Sequence, residues 1–170
     1  MSSPTKGPAM VLGPEDGDSY WQPGPHHGYM TVKLSPRNHP SNQFSMGIQV
    51  MPPGCHVRAH GHARNDEVLF IYAGSGRCVI DGETHAIEPG STVVLGRYVE
   101  HSIHNDGPDD MKFFWVFTPP GLEHVVEHAG RRRTPREAPP EKFERPADIA
   151  RILEKAGYAT PEEIRASKKA

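Results

Sequence analysis

The stretch "HVRAHGHARNDEVLF", residues 56–70, places three of the chain's 11 histidines within seven residues and then turns apolar. Alternate side chains of a β-strand share a face, so His60 and His62 point the same way with one residue between them. Two imidazoles so placed can grip one ion. Glu67 follows across the polar turn "ARND", and the alternation of "EVLFIYA" puts Glu67, Leu69 and Ile71 on one side. His101, in "EHSIHN", is a fourth candidate, sharing its orientation with Ile103 and Asn105. A mixed nitrogen and oxygen set suits Fe(II), Ni, Mn, Co, Cu or Zn far better than Ca or Mg, so one divalent transition metal is expected, Fe(II) first. Glu67 is also the candidate base, because a carboxylate beside a cation keeps lone pairs free for a substrate proton. Arg58 has the strand parity of His60, which aims it inward, where a guanidinium would hold a substrate carboxylate or enolate. An ion pair with a nearby acid, or a solvated strand end, is its alternative role.

The elements that must carry these groups are short. Eighteen prolines and 17 glycines in 170 residues break the chain too often for long helices. Strand-length apolar runs recur at "MTVKL" (30–34), "FSMGIQVM" (44–51), "EVLFIYA" (67–73), "GRCVID" (76–81), "THAI" (84–87), "TVVL" (92–95), "HSIHN" (101–105) and "KFFWVFT" (112–118). Asp81-Gly82 is the signature of a two-residue hairpin turn. The expected fold is all-β, a barrel or two-sheet jelly roll over residues 30–118. Residues 1–29, rich in Pro and Gly, are expected to form an extended arm whose Tyr20 and Trp21 must lie against something apolar. Residues 119–170 read as a short helix, a proline-broken linker and a helical tail. In that tail Ile149, Ile152, Leu153 and Ala156 recur at helical spacing before Gly157, and "TPEE" from Thr160 is a capping-box start. "HVVEH" (124–128) has a zinc-protease pattern, but no third ligand follows it, and a surface helix is expected; "GRRRTPRE" is expected to be solvated linker.

Composition narrows the partners. A net charge of −2 supplies no positive field for a phosphate backbone or an anionic membrane. No apolar run is long enough to cross a bilayer, so the expectation is a cytoplasmic protein with a small-molecule partner, without nucleic acid or membrane. Two cysteines, Cys55 and Cys78, are too few for a disulfide scaffold, and both are expected to pack.

Gly54 to Gly74, "GCHVRAHGHARNDEVLFIYAG", matches the first motif of the cupin superfamily, G-x5-H-x-H-x4-E-x6-G, at each defining position. Gly90 to Asn105, "GSTVVLGRYVEHSIHN", resembles the second motif, G-x5-P-x-G-x2-H-x3-N, with Gly96 in place of its proline and Tyr98 in place of its second glycine. The resemblance implies a cupin jelly-roll β-barrel holding one metal through His60, His62, Glu67 and His101, and a homodimer in which a strand or the arm crosses to the partner. The ligand set and "FTPPGLE" resemble quercetin dioxygenase-like cupins, which implies a non-haem dioxygenase for a small chelating enol, diol or dicarbonyl substrate, aromatic ones included. An O2-independent isomerase, lyase or decarboxylase, and a barrel that binds or senses a small molecule without turnover, are the alternatives. "KFFWVF" is apolar on both faces, so one of its parities is expected to give the pocket aromatic walls.

Overall fold

The structure, a computed structural model, describes residues 6–39 and 43–169; the first five residues of the expected arm and the last of the tail lie outside them. Two antiparallel sheets form a jelly roll. The larger has seven strands in the order β11-β1-β2-β3-β10-β5-β8: β1 (Asp18–Trp21), β2 (Tyr29–Leu34), β3 (Ser45–Met51), β5 (Asp66–Ala73), β8 (Thr92–Leu95), β10 (Met111–Thr118) and β11 (Arg131–Arg132). The smaller has the order β4-β9-β6-β7: β4 (His56–His60), β6 (Gly76–Ile80), β7 (Glu83–Ile87) and β9 (His101–His104). Three short helices follow the barrel strands: α1 (Leu122–Ala129), α2 (Ile149–Ala156) and α3 (Pro161–Ser167). Among the described residues no helix is long and apolar enough to cross a membrane.

Alternation fixes what faces the core. In β5, Glu67, Leu69 and Ile71 are buried while Phe70 and Tyr72 are exposed. Across the ladder in β10 their partners Phe117, Trp115 and Phe113 are buried too. These rings close the interior together with Leu95, Cys78 and Ile103. The β6–β7 turn has both central residues at positive φ, Asp81 at 48° and Gly82 at 90°, the geometry a right-twisted hairpin requires.

Several expectations need correction. Residues 1–29 include a strand of the main sheet: β1 pairs with β2 on one side and β11 on the other, burying Tyr20 and Trp21 in their own chain. Lys33 secures the preceding turn by donating to the carbonyls of Gly13, Pro14 and Asp16 at 2.7, 2.8 and 2.6 Å. "RRR" is not merely solvated linker, since Arg131 and Arg132 form β11 and Arg133 is buried over the Tyr29 ring, 3.9 Å from its centre. The α1 helix is amphipathic rather than only a surface element, because Leu122 and Val126 turn into the core. His124 and His128 stay exposed, and His128 meets Asp148 at 2.9 Å.

Candidate metal centre and cavity

His60 ends β4, His62 follows it, Glu67 opens β5 and His101 opens β9, so three separate strands deliver the four side chains. Their ligand atoms all lie within 4.8 Å of one another. Glu67 Oε2 is 3.2 Å from both His62 Nε2 and His101 Nε2. His60 Nδ1 meets the Arg58 carbonyl at 2.8 Å, and His101 Nδ1 meets the Val99 carbonyl at 3.0 Å. A carbonyl only accepts, so each Nδ1 carries a proton, which leaves Nε2 as the nitrogen that would face an ion. That tautomer is the one a metal needs, fixed by backbone before any ion arrives. His62 Nδ1 is buried without a hydrogen-bond partner, and the buried His101 Nε2 faces only the Glu67 carboxylate, so neither nitrogen is fully satisfied by the protein. These residues therefore fit a divalent ion.

Charge states follow from the crowding. Burial, then the neighbouring His101 and His62, hold the His60 pKa well below the ordinary imidazole value, so it is neutral. Burial works to raise the Glu67 pKa, but the hydrogen bonds from His101 and His62 outweigh it and hold the carboxyl well below its usual range. Burial likewise opposes protonation of His101, yet its contacts with Glu67 win and raise it.

The second cupin-like motif keeps its turn despite the substitution. Tyr98 stands at φ 64°, where the motif has glycine, and its N–H donates to the His62 carbonyl at 2.7 Å. A non-glycine residue in that region costs about 1–2 kcal/mol. Asn105, buried, donates to the carbonyls of Met51 and Asp109 at 2.7 and 2.8 Å, which ties the end of β9 to β3 and the β9–β10 loop.

A cavity of about 80 Å³ borders His60 and Glu67. Its apolar wall is aliphatic, with Met30, Val57, Ile103, Leu122, Val125 and Val126. The expected aromatic walls are absent from its lining: Phe113, Trp115 and Phe117 do face inward, but they are spent in the core, and Phe117 packs edge-on against His62 with ring centres 4.6 Å apart. Arg58 is not where parity put it. The β4–β9 ladder shifts register between Val57 and His60, an extra residue on β4 that reverses the alternation. Val57 therefore joins His60 at the cavity while Arg58 is exposed. His56 pairs with His104, stacks on its ring at 5.3 Å, and reaches the cavity rim.

Three cavity residues escaped the sequence patterns. Tyr158, just after α2, stacks on His60 with ring centres 5.1 Å apart and sits edge-on to His62 at 4.6 Å. Its backbone bridges to His62, with Ala63 N–H to the Gly157 carbonyl at 2.7 Å and Ala159 N–H to the Gly61 carbonyl at 2.8 Å. Burial, then the Glu67 charge, push its phenol well above the usual value. Arg145 enters from the proline-broken linker and is half-buried in the lining. His26 is 6 % exposed, with neither ring nitrogen partnered. Burial, then His27 and Arg145, lower its pKa to about 3. The only sequence cues were a lone aromatic at a helix end and a lone arginine in a polar linker, neither of which has a spacing signature.

Known proteins resemble this chain in sequence and fold. A family profile described as the cupin domain matches residues 47–117. The polyketide synthase CurC of Streptomyces cyaneus is 24 % identical over 106 residues, 60 % of this chain and 69 % of that protein. A predicted oxalate decarboxylase from Thermotoga maritima superposes with a TM-score of 0.59 at 24 % identity, over 65 % of this chain and 99 % of its own. The polyketide cyclase RemF of Streptomyces resistomycificus superposes at 0.58 and 16 % identity, over 65 % and 79 %. The jelly roll and both motifs agree with these likenesses, and residues 47–117 form a cupin domain.

Proposed function

We propose that this protein is a metal-dependent enzyme acting on a small oxygen-chelating substrate. The observation that carries the reading is the convergence of His60, His62, Glu67 and His101 within 4.8 Å at the edge of a cavity. A divalent ion there would supply Lewis acidity toward an enol, diol or dicarbonyl oxygen. The chain's own groups supply the rest. Both imidazole contacts of Glu67 fall on Oε2, which leaves Oε1 for a substrate proton. Tyr158, stacked on His60, is held as the neutral phenol and can donate. Aliphatic side chains from β2, β4, β9 and α1 keep water from the apolar side of the substrate.

The dioxygenase reading makes O2 the co-substrate. A non-oxidative reading, cyclisation, isomerisation or decarboxylation, is favoured by the proton-handling groups around the cavity, and the similar proteins named above are a polyketide cyclase, a polyketide synthase and a predicted oxalate decarboxylase.

Elemental analysis of the purified protein comes first. One transition-metal ion per chain is expected, lost in each of His60→Ala, His62→Ala, Glu67→Ala and His101→Ala; protein that binds no ion under any loading condition would refute the reading. The loaded protein is then given catechols, enediones and β-diketones in air and under argon. Turnover that requires and consumes O2 assigns the dioxygenase, and equal turnover under argon assigns the non-oxidative enzyme. Compounds returned unchanged in both atmospheres would reduce the protein to a binding barrel.

A further inference from the structure

Arg145 brings a positive charge to the cavity beside His60 and Glu67. Among the described residues it has neither an ion pair nor a hydrogen bond. The one acid in the lining, Glu67, is already taken by His62 and His101. Burial, then the charge of Arg58, lower the Arg145 pKa, with Tyr158 opposing them. A half-buried guanidinium left unpaired beside another is unfavourable unless a ligand brings the anion.

The same cavity contains a second unpaired group of a different kind. His26 is more than nine-tenths buried, lines the cavity, and has no partner for either ring nitrogen. Its imidazole therefore offers one N–H donor and one acceptor to whatever enters. Gln49 and Gln22, both buried, border the same space. The linker that carries Arg145 is anchored two residues earlier, at Phe143: its carbonyl accepts from Gly24 N–H at 3.1 Å, and its ring lies 4.2 Å from the Arg131 guanidinium.

The geometry points to a substrate that is itself an acid: a small carboxylate, held by Arg145 with the His26 imidazole beside it, whose carbonyl or hydroxyl oxygens face His60 and Glu67. This assignment rests on the proposed metal-dependent reading and adds its substrate class. One planar guanidinium matches a carboxylate through two parallel hydrogen bonds.

A matched pair of probes tests it. Acetylacetone and acetopyruvate are both β-diketones able to chelate an ion, and only the second carries a carboxylate. Calorimetric titration of metal-loaded protein is expected to show acetopyruvate binding about tenfold or more tighter, the usual worth of one charge-assisted contact. Arg145→Gln should abolish that preference and leave acetylacetone binding unchanged. Arg145→Lys should retain part of it. Arg97→Gln, an exposed control with the same change of charge, should retain all of it. Equal affinity for the two probes in the wild-type protein, or a preference that survives Arg145→Gln, would overturn the assignment without touching the metal centre. Failure of the metal-dependent reading looks different: no ion bound and no acetylacetone binding, with Arg145-dependent acetopyruvate binding still measurable.

Discussion

At the scale of single residues, the cavity is built from groups whose ionisation the fold has settled in advance. His60 and His101 each donate Nδ1–H to a backbone carbonyl, so their reactive nitrogens are presented without any rearrangement. His26 is a buried base that the fold keeps neutral, with a pKa of about 3 against an ordinary value of 6.5. Between those two values the unfolded chain binds a proton that the folded chain does not. Stability is therefore complete above pH 6.5, declines as pH falls below it, and stops declining on this account near pH 3. The expected contribution is a loss of about 2 kcal/mol between pH 7 and pH 5. Urea unfolding of metal-free protein at several pH values measures it. His26→Leu should show a correspondingly shallower pH dependence, and parallel curves for the two proteins would mean that the proton is taken up elsewhere.

At the scale of elements, the tail is part of the site. Arg64 donates to the terminal carbonyls of α2, Glu154 and Lys155, at 3.1 and 2.7 Å. Gly157 then turns the chain at φ +93 so that Tyr158 can bridge to His62. A Cβ at Gly157 would stand 2.3 Å from Asn65 Oδ1, whereas one at Gly82, φ +90, would meet nothing within 4 Å. Gly82→Ala is thus expected to cost only the backbone term, about 1 kcal/mol, and Gly157→Ala clearly more. Limited proteolysis separates the two further: Gly157→Ala should expose the tail to cleavage under native conditions, and Gly82→Ala should not. Equal stability losses and equal protection would mean that the tail does not depend on this contact.

Much of this was legible in the sequence. Period-2 alternation and turn residues located β5, β8 and β10, the Asp81-Gly82 hairpin and the Thr160 capping box, because each rests on local geometry. The four convergent side chains were legible because two spaced motifs carry them. Arg58 was misplaced because a bulge between Val57 and His60 inverts parity without any residue type that announces it. Tyr158, Arg145 and His26 reach the cavity through long-range docking of tail, linker and N-terminal segment, and no periodicity encodes such contacts.

At the scale of the whole molecule, the outer face of the main sheet is the least finished surface. β8 pairs with β5 on one side only and forms the sheet's edge among the described residues. Beside it Phe70, Tyr72 and Val94 are exposed by 44 %, 43 % and 69 %, and Phe114 and Val116 of β10 continue the same apolar face half-buried. That is the outward parity of "KFFWVF", whose other parity fills the core. A contiguous apolar face ending in an open strand edge is a template for pairing, and no Pro or charged residue blocks β8. A second copy of the chain is the partner proposed here, since an edge strand met by its own two-fold image is self-complementary. β1, already flanked by β2 and β11 of its own chain, has no free edge to offer a partner. Sedimentation should give twice the chain mass for the wild-type protein. Val94→Lys should shift it to the monomer while leaving bound metal intact, because Val94 points away from the cavity; a monomeric wild type would remove the second copy from this face.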